Sequence, residues 1–148
     1  MTRDEALDII KDDYYEFQNL SYEFKCDREI LLLCNPDIWL WDEKPLNEYK
    51  AIIKKYYSKD VGFIREGLLK RGCDSSFLIF ADDSLSDNEE LMLDAIKVDV
   101  LVGNPILWGS FALKNDLAFL SKAIEINPDL REVIEEDDEI SNDIKSLL

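Results

Sequence analysis

Three segments of this chain align without a gap at a spacing of 28 residues, anchored on Asp60, Asn88 and Asp116. An apolar residue stands three positions before each anchor: Tyr57, Leu85 and Leu113. Large apolar residues follow at three and four positions beyond it: Phe63 and Ile64, Leu91 and Met92, Phe119 and Leu120. A small residue comes at seven (Gly67, Ala95, Ala123) and a branched one at eight (Leu68, Ile96, Ile124). Asp and Asn make good helix N-caps, because the short side chain accepts a hydrogen bond from an orphan backbone N–H one turn in. The 3, 4, 7, 8 spacing places the following residues on one helical face, and the small residue lets another backbone approach. A period of this size predicts stacked supersecondary units.

A second apolar element precedes each anchor. Ile52, Phe80 and Trp108 lie eight positions before it, and Tyr49 and Phe77 three earlier still. The expected unit is a short helix, a turn, then a longer capped helix. Ser76 to Ala81 has the composition of a strand, but its place in the period argues for helix. An earlier copy is anchored on Asp27, with Ile30, Leu31 and Cys34 in the matching places. Five extra residues separate it from the next unit, assigned to the Trp-rich stretch between Pro36 and Pro45. Ile140 to Ile144 echoes Leu113 to Leu117 and suggests a truncated last copy. At the start, Thr2-x-x-Glu5 is a capping-box pattern, followed by an apolar stripe of Ala6, Ile9, Ile10, Tyr14 and Phe17. Gly62 and Gly67 each weaken their helix by about 1 kcal/mol relative to Ala; close packing accounts for Gly67. The predicted fold is all-α: one domain over 1–148, a short stack of helical hairpins with an extra N-terminal helix and an acidic C-terminal helix. Its units fall near 17–35, 46–72, 74–100 and 102–128, with an acidic segment over 129–148.

The segments Phe77 to Lys97 and Leu107 to Ile124 resemble an uncharacterised bacterial repeat, a domain of unknown function. Its pattern is apolar-x-aromatic-Ala, then Leu-x-x-Asp-x-x-apolar-apolar-x-x-Ala-apolar-Lys. The resemblance covers Leu46 to Pro128 and, more loosely, Phe17 to Asn35. It implies helical repeats of bacterial or phage-associated proteins, and it brings no catalytic residues.

Charge is the second constraint. Seventeen basic residues against 33 acidic ones give a net charge of −16. Lys44 to Arg71 nevertheless carries eight Lys or Arg against three acids. Acids gather at Asp4 to Glu16, at Asp82 to Asp99, and most densely at Glu132 to Glu139. Such a field repels free nucleic acid, whose phosphates need Lys and Arg, and attracts a basic protein. No apolar run is long enough for a membrane span, and the acids of the first turns argue against a signal peptide. Cys26, Cys34 and Cys73 have no metal spacing and an odd count. The expected setting is a reduced cytoplasm, with Cys34 as a core thiol.

Chemistry is hard to place. The chain has no histidine, which removes the commonest general base and most zinc sites. Its five glycines form no phosphate cradle. Asp82, Asp83 and Asp87 are the best carboxylate group, but acids near helix starts are favoured there on electrostatic grounds alone. No enzyme, cofactor or metal is expected. Trp39 and Trp41, two positions apart, cannot share one helical face, so one of them is a candidate recognition anchor. The predicted interface is Trp39 and Trp41 together with Glu132, Glu135, Glu136, Asp137, Asp138 and Glu139. The favoured function is a non-catalytic protein-binding module, an acidic inhibitor or immunity-type protein that neutralises a basic toxin or nucleic-acid-binding protein. The alternatives are a helical-repeat adaptor using the Trp39/Trp41 segment and, less favoured, a carboxylate–metal hydrolase.

Overall fold

The computed structural model describes residues 1–34, 41–71, 75–99 and 105–148. Among them the regular elements are all helical, so the class is all-α. In chain order they are α1 (Arg3–Asp12), a 3-10 stretch (Tyr14–Asn19), α2 (Tyr22–Lys25), α3 (Arg28–Cys34), α4 (Glu43–Tyr56) and α5 (Val61–Arg71). Two 3-10 turns follow (Ser76–Phe80 and Asp83–Leu85), then α6 (Glu89–Val98) and a third turn (Pro105–Trp108). The chain closes with α7 (Phe111–Lys114), α8 (Leu117–Ile126), α9 (Leu130–Glu136) and α10 (Asn142–Lys145).

The anchors are N-caps. Asp27 accepts from the Ile30 N–H at 3.2 Å, Asp60 from Phe63 at 3.0 Å, Asn88 from Leu91 at 2.9 Å and Asp116 from Phe119 at 3.0 Å. Thr2 and Glu5 close both bonds of a capping box on α1. The capped helices α3, α5, α6 and α8 pack one on the next, with α1 against α3, and form one layer. The second layer holds α4 and the 3-10 turns: the 76–80 turn packs on α4 and α5, and the 105–108 turn on α6. The core lies between the layers, with Phe63, Ile64, Leu91, Phe119 and Leu120 from one side and Tyr49, Ile52 and Phe77 from the other, all buried. The Tyr49 hydroxyl donates to the Leu31 carbonyl at 2.7 Å, and burial pushes its pKa well above the ordinary phenol value.

The second-layer elements are not copies of one short helix, and the residue six positions before each cap explains why. Ser21, Asp82 and Ser110 occupy that place and start the short elements, the Asp82 and Ser110 side chains accepting from Ser84 N–H and Leu113 N–H. Lys54, at the same place, cannot cap. Helix α4 therefore runs through it unbroken for 14 residues. The acidic run also departs from the single helix expected. Helix α9 ends at Glu136, and Asp137 turns the chain by accepting from the Glu139 N–H at 2.9 Å. Ser141 then caps α10 through Ile144 N–H, as Ser110 caps α7. The last unit thus matches Ser110–Lys114 by cap geometry rather than Leu113 to Leu117.

Neighbouring units are joined at one recurring place, two residues before the cap. The Ser58 carbonyl accepts from Asp82 N–H at 2.8 Å, and the Ser86 carbonyl from Ser110 N–H at 2.9 Å. In the outer units the same place holds a buried lysine. Lys25 Nζ pairs with Glu48 at 2.9 Å, and Lys114 pairs with Asp137 and Glu139.

Gly67 is a packing glycine. A Cβ there would lie 1.9 Å from the buried Phe77 ring. Gly67→Ala should lower stability by about 1–2 kcal/mol, because overpacking costs more than the roughly 1 kcal/mol that alanine returns in helix propensity. A rise in the urea midpoint would refute this packing account. A Cβ at Gly62 would sit 3.3 Å from the capping carboxylate of Asp60, so that glycine leaves the cap room. Cys34 is buried, Cys26 is half-buried, and Cys73 lies outside the described residues.

Candidate protein-interaction surface

On the long-helix side, charges pair between neighbouring helices. Arg3 binds Asp27 at 2.7 Å and Glu29 at 2.9 Å, and Arg28 binds Glu66 at 2.9 Å. Arg65 binds Asp94 at 2.7 Å and Glu90 at 3.0 Å, and Lys122 binds Glu89 at 2.6 Å. Partial burial pushes the Asp27 carboxyl up, but the Arg3 hydrogen bond, the Ile30 and Glu29 N–H groups and the Arg3 charge together hold it below its ordinary range. The Arg28 hydrogen bond does the same to Glu66. Exposed pairs of this kind contribute little stability each, and Asp4, Asp12 and Glu125 on the same side stand exposed outside them.

The second layer carries apolar residues in the open. Ile79 is 50% exposed, Leu107 62% and Phe111 69%. Ile79 and Leu107 are 28 residues apart, each next to a core residue, Phe80 or Trp108. Each stands on the outer side of its 3-10 turn, while its neighbour turns towards the core. Ala51 takes the same place on α4 and is also exposed. A second solvent-facing row, five positions before each cap, reads Tyr22, Lys55, Asp83 and Phe111. Caps and core recur from unit to unit, while these surface rows change chemistry.

Three clefts lie along this face. The first, about 360 Å³, opens between α4 and the 76–80 turn, bounded by Lys50, Lys54, Ile79 and Asp82. The second, about 110 Å³, lies beyond Ile79 and is bounded by Asp83, Met92 and the half-buried Trp108. The third, about 380 Å³, separates Leu107 from α9 and is walled by Val133, Glu136, Asp137 and Asp138. Carboxylates line all three, joined in the first by Lys50 and Lys54.

The residues singled out from sequence divide sharply. Trp41 is 7% exposed; it stacks on Phe17 at 5.0 Å and meets Tyr49 edge-on at 5.6 Å. It precedes α4 rather than sitting in a helix, so the helical-face argument for its exposure does not apply. Trp41 is a core residue, and Trp39 lies outside the described residues. Asp137 is turned inward, its side chain 8% exposed and 3.3 Å from Lys114 Nζ, and Glu139 also pairs with Lys114. Glu132, Glu135, Glu136 and Asp138 remain exposed. Asp82 caps a turn, and its hydrogen bonds from Ser84 hold its pKa below the ordinary value. Asp87 accepts from the Ser110 hydroxyl. Among the described residues no group of three ligating side chains could hold a metal, and no helix is long and apolar enough to cross a membrane. Ile79, Leu107 and Phe111 were not among the predicted interface residues. The signal for the first two lay in the period itself, as a large apolar residue beside the core position in two successive units. No family model, curated protein or solved structure matches the chain.

Proposed function

We propose that this chain is a non-catalytic protein-binding module, an inhibitor or immunity-type protein that engages a basic partner through the face of the short elements. The observation that carries this reading is the set of exposed carboxylates standing against open apolar residues along the short elements. Asp83 lines a cleft with Ile79, and Glu136 and Asp138 line one with Leu107. Unpaired charge steers an oppositely charged partner and sets its approach. Exposed apolar surface supplies affinity once the partner has arrived. The resemblance to a bacterial repeat adds the setting in which such a partner would be met.

The test is capture of binding proteins at low and high ionic strength with three forms of the chain. In the first variant Glu132, Glu135 and Glu136 become lysine. In the second, Asp4, Asp8 and Asp12 on α1 become lysine, with the same change in net charge. A basic protein should be retained by the unaltered chain and by the α1 variant. Association with the α9 variant should be slower by about tenfold or more, and salt should release the complex. A partner held equally by all three forms, and insensitive to salt, would overturn the reading.

A further inference from the structure

The three clefts and the ridges between them suggest how the partner is held. Ile79 separates the first cleft from the second, and the Leu107–Trp108 pair separates the second from the third. At one end of the row Lys50 and Lys54 share their cleft with Asp82 and Asp83, and at the other stand Glu136 and Asp138. We infer that this row is a linear docking track for an extended peptide segment of the partner. The segment lies across the units, its basic residues over Glu136 and Asp138 and its apolar side chains against Ile79, Trp108 and Leu107. The inference rests on the protein-binding reading above and adds the form of the ligand.

Geometry sets the spacing of such a ligand. Packed helical elements lie about 8–10 Å apart, and an extended chain rises about 3.3 Å per residue. One unit therefore corresponds to about three peptide residues, so apolar anchors should recur about every third position. A globular basic surface has no reason to show this spacing, and a short helix would show three-and-four alternation instead. Charge complementarity fixes the rest. A basic residue gains at the α9 end, whose cleft is lined by Glu136, Asp137 and Asp138, whereas the lysines and carboxylates of the first cleft together favour neither sign.

The test uses displayed random peptides of about twelve residues, long enough to cross all three clefts. Peptides are selected on the unaltered protein and then compared on Ile79→Asp/Leu107→Asp. Both side chains are largely exposed, so the double variant should keep its helical circular dichroism and thermal midpoint. The expected enrichment is for apolar residues about three apart with Lys or Arg at one end, binding the double variant at least about tenfold more weakly. Enriched peptides without that spacing, equal binding to the variant, or no enrichment would each overturn the track. Sedimentation of the protein alone gives one more outcome. Self-association abolished by the double variant would make a second copy the occupant and overturn the peptide inference. Loss of the track while a basic protein is still captured through α9 would leave the broader reading standing; loss of both would remove that as well.

Discussion

Replacing Lys114 by alanine should cost about 3–5 kcal/mol, the usual penalty for removing one partner of a buried ion pair. Its side chain is 4% exposed and pairs with Asp137, itself 8% exposed at the side chain, and with the more open Glu139. Without the ammonium, Asp137 stays in the junction between α7 and α9 as an uncompensated carboxylate. The pair itself need not be the source of the loss. An apolar junction of similar volume can be as stable as the charged one. Lys114→Met combined with Asp137→Asn should therefore recover most of the loss, since asparagine keeps the oxygen that accepts from Glu139 N–H. Urea unfolding of the two single variants and the double variant measures the coupling. Amide exchange should locate the loss in residues 137–148 before it reaches α5 or α6. A single-variant loss below about 1 kcal/mol would show that Asp137 escapes to water and that the pair is not a fastening.

The second large effect is expected at Phe63, where alanine should destabilise by about 3–5 kcal/mol. The ring is fully buried, stacks on Tyr57 at 4.6 Å, and lies 5.9 Å from Phe77. The Arg28 guanidinium stands over its face at 5.9 Å. Three successive units thus meet at one side chain: Arg28 from the first, Tyr57 and Phe63 from the second, Phe77 from the third. The cap bond from Asp60 uses the Phe63 backbone N–H, so it survives truncation and the measured loss reports packing alone. Phe63→Leu, which refills part of the space, should cost about 1–2 kcal/mol. Near-equal losses for alanine and leucine would mean that the aromatic contacts, not the volume, hold the units together.

What was legible in the sequence follows a physical rule. A cap bond spans three residues, and a helical face is set by spacings of three and four, so Asp27, Asp60, Asn88 and Asp116 and their apolar pairs could be read from local pattern. The capping box of Thr2 and Glu5 is equally local. The close approach at Gly67 was legible as a small residue in a large-residue register, though not its partner, Phe77. The length of α4 was less visible, because it depends on what Lys54 fails to do at a place where Ser21, Asp82 and Ser110 start short elements. Burial of Trp41 was misjudged because the ring it stacks on, Phe17, lies 24 positions upstream. The inward turn of Asp137 has the same origin. A run of like charges reads as a solvated surface until a lysine 23 positions upstream is found underneath it.

The bonds between units described above all end at the immediate neighbour: Lys25 on Glu48, Ser58 on Asp82, Ser86 on Ser110, Lys114 on Asp137. Nothing among them ties the first unit to the last. A molecule fastened in this way behaves less like a closed shell than like a zip. It can lose its terminal tooth, α9 with α10, while the remainder stays shut, and its resistance to opening grows with each tooth engaged. A partner lying across several units would act as a splint on that zip. The same grip that captures the ligand would raise the force needed to part the chain.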